Sequence, residues 1–194
     1  TRGALREARH TFTPRPDNHT LQRCASQFNK PPPLSAQLRA FAEHVWALGS
    51  ERRIAYSVVD YHYRRGVADV ALNYKSACDV TSFLCVALDL ETAVHACALG
   101  LDAVLYTANK AEIEGIVKKR QVYGAKYGVL ATLLDLGLDV TFGEMDVWLL
   151  GDPIVGTPVR DITIGVHQDN PYNINAGWIH VRWPRRLTLP FDSP

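Results

Sequence analysis

The sequence lacks a large net charge, a long apolar run and a visible signal peptide. Lys and Arg number 21 against 20 Asp and Glu, a formal net charge of +1, so no strong field gathers a polyanion and nucleic acid is not an expected partner. No apolar run reaches the roughly 18 residues that span a bilayer, and no signal peptide is visible. Because the chain begins with Thr1 instead of Met, the sequence leaves room for a membrane anchor upstream.

Common nucleotide and metal motifs are missing as well. The sequence contains neither GxGxxG nor GxxxxGK[ST], which excludes an ordinary dinucleotide or P-loop site. The cysteines Cys24, Cys78, Cys85 and Cys97 lack the CxxC spacing of a zinc site. They are interpreted as small buried hydrophobic residues, and a disulfide stays open if the compartment is oxidising.

Composition divides the chain into three parts. Residues 1–33 have no sustained apolar period and predict a disordered basic tail or stalk; a glycosylation acceptor triplet, Asn18-His19-Thr20, lies within it. Apolar residues at helical spacing predict a flanking amphipathic helix over 34–49. Residues 50–194 are expected to form one domain, incomplete at its C-terminus because the last dozen residues contain no element that closes a fold.

Short β-rich runs alternate with helical patterns along this domain. The predicted strands are Ile54–Val59, Phe83–Leu88, Ala103–Tyr106 and Leu138–Phe142, followed by β-like runs at Ile162–Val166 and Trp178–Val181. The β-α-β order predicts an α/β fold with a mostly parallel sheet covered by helices on both faces. Ligands of such sheets bind outside the carboxyl ends of the strands.

Polar residues follow three of the predicted strands. Asp60 and Tyr61 follow the first, Asp89 follows the second, and Glu144 and Asp146 follow the fourth. In an extended chain residues i and i+2 point to the same side, so Glu144 and Asp146 are expected to aim at one point and to bind a hard divalent cation such as Mg²⁺ or Mn²⁺. The alternative is that both belong to a solvated turn.

The region between the last two β-like runs is rich in hydrogen-bonding groups. It covers residues 167–177 and includes Asp169, Asn175 and Gly177. Its side chains are of the kind that bind sugar hydroxyls, and its Asn, Pro and Gly are equally typical of an ordinary turn.

Taken in order, three segments resemble the nucleotide-diphospho-sugar transferase family, which includes plant and algal cell-wall xylosyl- and arabinosyltransferases. They are FLCVALD at 83–89, KYGVLATLLDLGLDVTFGEMDVWLLGDP at 126–153, and NAGWIHVR at 175–182. The resemblance implies a Rossmann-like GT-A fold, a UDP-sugar donor, a glycan or glycoprotein acceptor, Mn²⁺ or Mg²⁺ at a DxD-like motif, and a place in the Golgi lumen. It also implies retention of configuration.

The resemblance assigns roles to single residues. Asp146 becomes the ligand of metal and diphosphate, Glu144 stands where the family has its first Asp, and Lys126 meets the diphosphate. Asn175 and Gly177 match an N-x-G turn beside the donor sugar. For the nucleotide it suggests Asp60, Tyr61 and Asp89, although Asp89 is also a candidate helix cap.

The sequence departs from the family pattern near Trp148, which sits one place early and is interpreted as a packing residue. A third metal ligand, commonly a His near the end of the catalytic domain, is not identified. Two other functions stay open for this reason: a catalytically inactive nucleotide-sugar-binding remnant, and a metal-dependent phosphohydrolase with Asp60 as its nucleophile.

Overall fold

The computed structural model describes residues 16–49, 52–107, 118–152, 162–167 and 170–182, with only the backbone described at 118–121, 164–167 and 170–176. The helices are α1 (Asn18–Phe28), α2 (Leu34–Ala47), α3 (Val67–Cys78), α4 (Leu90–Ala98) and α5 (Lys118–Asp135). The strands are β1 (Arg53–Val59), β2 (Ser82–Ala87), β3 (Asp102–Leu105), β4 (Asp139–Gly143), β5 (Ile162–His167) and β6 (Asn170–Val181). None of these helices is long and apolar enough to cross a membrane.

The strands form one mixed sheet in the order β3-β2-β1-β4-β6-β5. β1 pairs in parallel with β2 and β4, and β2 with β3, as the β-α-β pattern predicts. β6 runs antiparallel to both β4 and β5. The predicted α/β class with a mostly parallel sheet is therefore confirmed, and the arrangement is compatible with a Rossmann-like fold.

Side chains alternate between the two faces of the sheet along each strand, and each face packs into its own hydrophobic core. Ile54 and Tyr56 of β1 face a cluster built with α2 and α5, whereas Ala55 and Val59 face a second cluster built with α3 and α4. Successive side chains of a strand point to opposite faces, so a strand covered by helices on both sides is apolar throughout. β2 shows this directly, because every one of its residues is buried.

The N-terminal prediction is wrong in part. Residues 18–28, expected to be disordered, form α1, which begins where the Asp17 carboxylate accepts a 2.8 Å hydrogen bond from the Thr20 N–H. Cys24 and Phe28, one helical turn apart, are buried, and Cys24 forms a disulfide with Cys97 of α4. A polar helix with one narrow buried stripe escapes a search for broad apolar periodicity. The predicted helix at 34–49 is confirmed as α2 and contributes Leu38 and Phe41 to the core.

The prediction of a polar loop at 167–177 is also wrong for most of that stretch. β6 begins at Asn170 and runs without a break to Val181, pairing with β5 through two irregularities of register. In the polar half of β6, pairing with β5 outweighs the low strand propensity of Asn. Asp169 lies outside the described residues.

Candidate functional site

Three polar segments meet at one edge of the sheet. β1, β2 and β4 are parallel neighbours, so their carboxyl ends at Val59, Ala87 and Gly143 lie side by side. A cleft of about 500 Å³ opens next to the ends of β1 and β2. It is lined by Asp60, Tyr61, His62, Leu88, Asp89, Leu90, Glu91 and Val122. Three of the predicted nucleotide-binding residues thus share one cleft.

The carboxylates of Asp60 and Asp89 are already engaged by the local backbone. Asp60 accepts hydrogen bonds from the N–H groups of His62, at 2.9 Å, and Tyr63, at 3.4 Å. Asp89 caps α4 by accepting from the N–H and the hydroxyl of Thr92, at 2.8 and 2.9 Å. Capping, one of the two roles considered for Asp89, is therefore confirmed. A carboxylate held by two N–H groups is a weakened nucleophile, which counts against Asp60 in a phosphohydrolase.

Tyr61 presents a half-exposed aromatic ring at the mouth of the cleft, and Arg64 lies against it. The Arg64 guanidinium carbon is 3.5 Å from the ring centroid, and Arg64 also donates a 2.7 Å hydrogen bond to the Tyr61 carbonyl. The same side chain reaches Glu91 at 4.0 Å. Neither Arg64 nor Glu91 is among the residues predicted from the sequence. Arg64 follows Tyr61 by three residues, a spacing at which a turn brings side chains together.

The acidic pair leaves β4 in a different conformation from the one predicted. The strand ends at Gly143, and the Val147 N–H donates to the Glu144 carbonyl at 3.1 Å, so Glu144–Val147 is a turn. Side-chain alternation in a strand therefore does not apply to Glu144 and Asp146. The turn is joined to β6 by a 2.8 Å bond from the Glu144 N–H to the Gly177 carbonyl.

The chain after this turn is fixed to α3. Asn73 binds both backbone groups of Leu149: its amide donates to the carbonyl at 2.8 Å, and its carbonyl accepts from the N–H at 2.9 Å. Met145, Val147 and Leu149 pack against the α3–α4 core. Asp146 and Trp148 consequently face solvent, and Trp148 is 58% exposed. The interpretation of Trp148 as a packing residue is wrong.

Glu144 is partnered by a buried lysine. The Lys126 ammonium lies 3.2 Å from Glu144 Oε1 and 4.3 Å from the centre of the Phe142 ring, and its side chain is 1% exposed against 42% for Glu144. A buried ammonium requires a charged or strongly polar partner, and Glu144 supplies a carboxylate. Val122, which lines the cleft, lies one helical turn before Lys126. The cleft and the acidic turn are therefore linked through one face of α5.

Buried donors lie beneath the acidic turn. A side chain at Gly143 would collide with the Tyr74 ring, so only glycine fits there. Within the described residues, neither the Tyr74 hydroxyl nor the Trp178 indole N–H has a hydrogen-bond partner, and Trp178 pairs directly with Gly143. Burial raises the pKa of Tyr74, with smaller contributions from Cys78, Asp146 and Glu144. Tyr74 thus stays protonated next to the acidic turn.

The acidic turn offers carboxylate oxygens, the ligand type that Mg²⁺ and Mn²⁺ prefer. Asp146 offers an exposed carboxylate, and Glu144 offers one that it shares with Lys126. The described residues contain no group of three or more His, Cys, Asp and Glu side chains around a common point. Mg²⁺ needs only one or two carboxylates when water and substrate phosphates complete its shell. The residues fit a cation that arrives with a phosphorylated ligand, and they do not form a closed protein cage.

Cys78 of α3, Cys85 of β2 and His180 of β6 are all buried. Burial raises the pKa of the Cys78 thiol to about 11 and that of Cys85 to about 12, so both are protonated. His180 is buried, and its Nδ1 lies 2.9 Å from the Thr141 hydroxyl. Burial lowers the pKa of His180 to about 4, with Arg53 adding to the shift.

The matched N-x-G residues are divided. The Gly177 carbonyl accepts a hydrogen bond from the acidic turn, whereas Asn175 is paired with Gly165 at a register irregularity between β5 and β6.

Comparisons with protein-family models, curated proteins and solved structures found no significant match to this chain.

Proposed function

We propose that this chain is a metal-dependent glycosyltransferase that moves a sugar from a UDP-sugar to a hydroxyl acceptor on a glycan or glycoprotein. One observation carries the proposal. An exposed carboxylate, Asp146, and a lysine-paired carboxylate, Glu144, stand at the end of β4, at the sheet edge where the cleft opens beside β1 and β2. The resemblance of the segments at 83–89, 126–153 and 175–182 to the nucleotide-diphospho-sugar transferases supports the same conclusion.

Charge divides the site into two parts. The cleft is lined by Asp60, Asp89 and Glu91, and Arg64 lies 4.0 Å from Glu91. The excess of negative charge disfavours a free diphosphate there. It suits a neutral nucleoside, whose base can stack on Tyr61 and whose N–H and hydroxyl groups can donate to carboxylates. The diphosphate would then lie toward the acidic turn, where a divalent cation is needed to offset the repulsion from Asp146, because Lys126 already offsets the charge of Glu144.

Bound Mn²⁺ or Mg²⁺ would act as a Lewis acid on the β-phosphate, which gains charge as the anomeric C–O bond of the sugar breaks. In this proposal Asp146, whose carboxylate is exposed, would hold the cation. The buried Lys126 ammonium holds the Glu144 carboxylate at 3.2 Å and brings a positive charge to the acidic turn. Asn73, through its two bonds to Leu149, holds the chain that follows Asp146. Fixed polar groups of this kind stabilise developing charge without reorganising during the reaction.

The disulfide between Cys24 and Cys97 supports placement in an oxidising compartment. Disulfides persist in secretory lumens and are rare in the cytosol. We therefore propose a luminal Golgi location, in agreement with the family that the chain resembles.

Calorimetric titration of UDP with and without Mn²⁺ tests the proposal. We expect binding only when metal is present, and we expect Asp146→Asn to abolish the metal dependence. Asp135→Asn removes the same charge from an exposed position at the end of α5 and serves as the matched control. Equal affinity for UDP in EDTA and in Mn²⁺ would contradict the proposal.

A second candidate is a nucleotide-sugar-binding protein without transferase activity. The observation that favours it is the Lys126–Glu144 ion pair, which leaves Asp146 as the carboxylate of the turn without a described ion pair. Incubation with UDP-sugars and Mn²⁺ separates the two, because a complete site hydrolyses donors slowly even without acceptor. Normal UDP binding with no turnover of any UDP-sugar would favour the binding protein.

A further inference from the structure

Asn18 is the first residue of α1 and is exposed to solvent. It opens the triplet Asn18-His19-Thr20, and no other Asn in the sequence is followed, two residues later, by Ser or Thr. Such triplets accept N-linked glycans when the chain enters a secretory lumen, and a glycan requires a surface position in the folded protein. Asn18 satisfies this steric condition.

A second observation, independent of the triplet, concerns the compartment. Cys24, six residues after Asn18, is disulfide-bonded to Cys97, and both side chains belong to helices that pack together. Disulfides of this kind form in the oxidising lumen in which N-glycosylation takes place. The same short helix therefore contains a bond that is typical of the oxidising lumen and an acceptor that is used there.

We infer that Asn18 carries an N-linked glycan. In this reaction the Asn18 side-chain nitrogen forms a bond to the anomeric carbon of an oligosaccharide, supplied by the host as a lipid-linked diphosphate. The sugar–phosphate bond breaks, the lipid diphosphate leaves, and the amide gives up one proton to a base. No electron transfer is involved.

The folded geometry indicates when the transfer takes place. In α1 the Thr20 hydroxyl donates to the Asp17 carboxylate at 3.1 Å and the Thr20 N–H donates to the same group at 2.8 Å. The triplet is thereby fixed in the first turn of a helix, so it is accessible to a transferase before α1 forms. Cys97 follows Cys24 by 73 residues. The disulfide therefore closes only after 73 further residues have been synthesised, which leaves an interval for transfer to Asn18.

The test uses the full 194-residue chain directed into the secretory pathway of a eukaryotic host. We expect the purified chain to lose apparent mass after peptide-N-glycosidase treatment, with mass spectrometry showing conversion of Asn18 to aspartate. Asn18→Gln and Thr20→Val should abolish the shift, and Thr20→Ser should keep it because serine also completes the triplet. An unmodified Asn18 in the folded, secreted chain would overturn the inference, and an intact Cys24–Cys97 disulfide in the same sample would show that the chain had passed through the lumen. Neither result would bear on UDP binding.

Discussion

Loss of Glu144 and loss of Lys126 are expected to affect stability unequally, although the two residues form one ion pair. Glu144→Gln leaves a buried ammonium without its carboxylate, whereas Lys126→Met leaves a carboxylate that is 42% exposed and can be hydrated. Removing one charge of a buried ion pair costs about 3–5 kcal/mol, and here the cost falls to about 2 kcal/mol because the glutamine carbonyl still accepts from the ammonium. Methionine fills nearly the same volume as the lysine stem, and replacing a buried charge with an apolar group is often close to neutral.

We therefore expect Glu144→Gln to lower the free energy of unfolding by about 2 kcal/mol and Lys126→Met to change it by less than about 1 kcal/mol. With a urea m-value of about 2 kcal/mol per molar, the first change moves the unfolding midpoint down by about 1 M. Glu43→Gln, at an exposed position on α2, controls for the loss of one negative charge. If Lys126→Met proved as destabilising as Glu144→Gln, the pair would not be governed by the burial of the lysine.

Three further predictions concern stability. Reduction of the Cys24–Cys97 bond, which spans 73 residues, should lower the free energy of unfolding by about 4 kcal/mol in the chain-entropy account. Alkylation in denaturant should label Cys78 and Cys85 before reduction and all four cysteines after it. The folded-state pKa of His180, about 4, lies below the ordinary value near 6.5. The unfolded chain therefore binds more protons between about pH 4 and 6.5, and stability should fall as the pH drops through this range. In urea unfolding, the free energy of unfolding should depend less on pH in His180→Asn. Asn73→Leu removes both bonds to Leu149 and should cost about 1–3 kcal/mol, with earlier cleavage near Leu149 in limited proteolysis than in the control Leu72→Ala, which alters an exposed side chain of the same helix.

The parallel half of the sheet could be predicted because its signals are local and repeated. β1, β2 and β4 are apolar runs followed by polar residues, and Asp89 with Thr92 marks the start of α4. The convergence of their carboxyl ends then follows from the topology alone. Placing Asp60, Asp89 and Glu144 at one edge required no knowledge of distant contacts.

The errors at α1 and β6 lie where a distant partner decides the local structure. α1 has only Cys24 and Phe28 as a buried stripe, and its disulfide partner is far along the sequence. β6 is polar at its start, and strand pairing determines its conformation. The role of Lys126 could not be derived from spacing either, because its burial against Phe142 and its bond to Glu144 arise from the packing of α5 on β4.

The charge balance at the acidic turn bears on how the proposed site would work. Glu144 and Lys126 offset each other across 3.2 Å, so the local charge is close to that of Asp146 alone. A single exposed carboxylate holds a divalent cation weakly, since most of its shell must then come from water or substrate oxygens. A diphosphate supplies several such oxygens at once, and by reciprocity each ligand strengthens the binding of the other by the same factor. A lysine-paired Glu in place of a second free carboxylate would thus make cation and nucleotide binding interdependent.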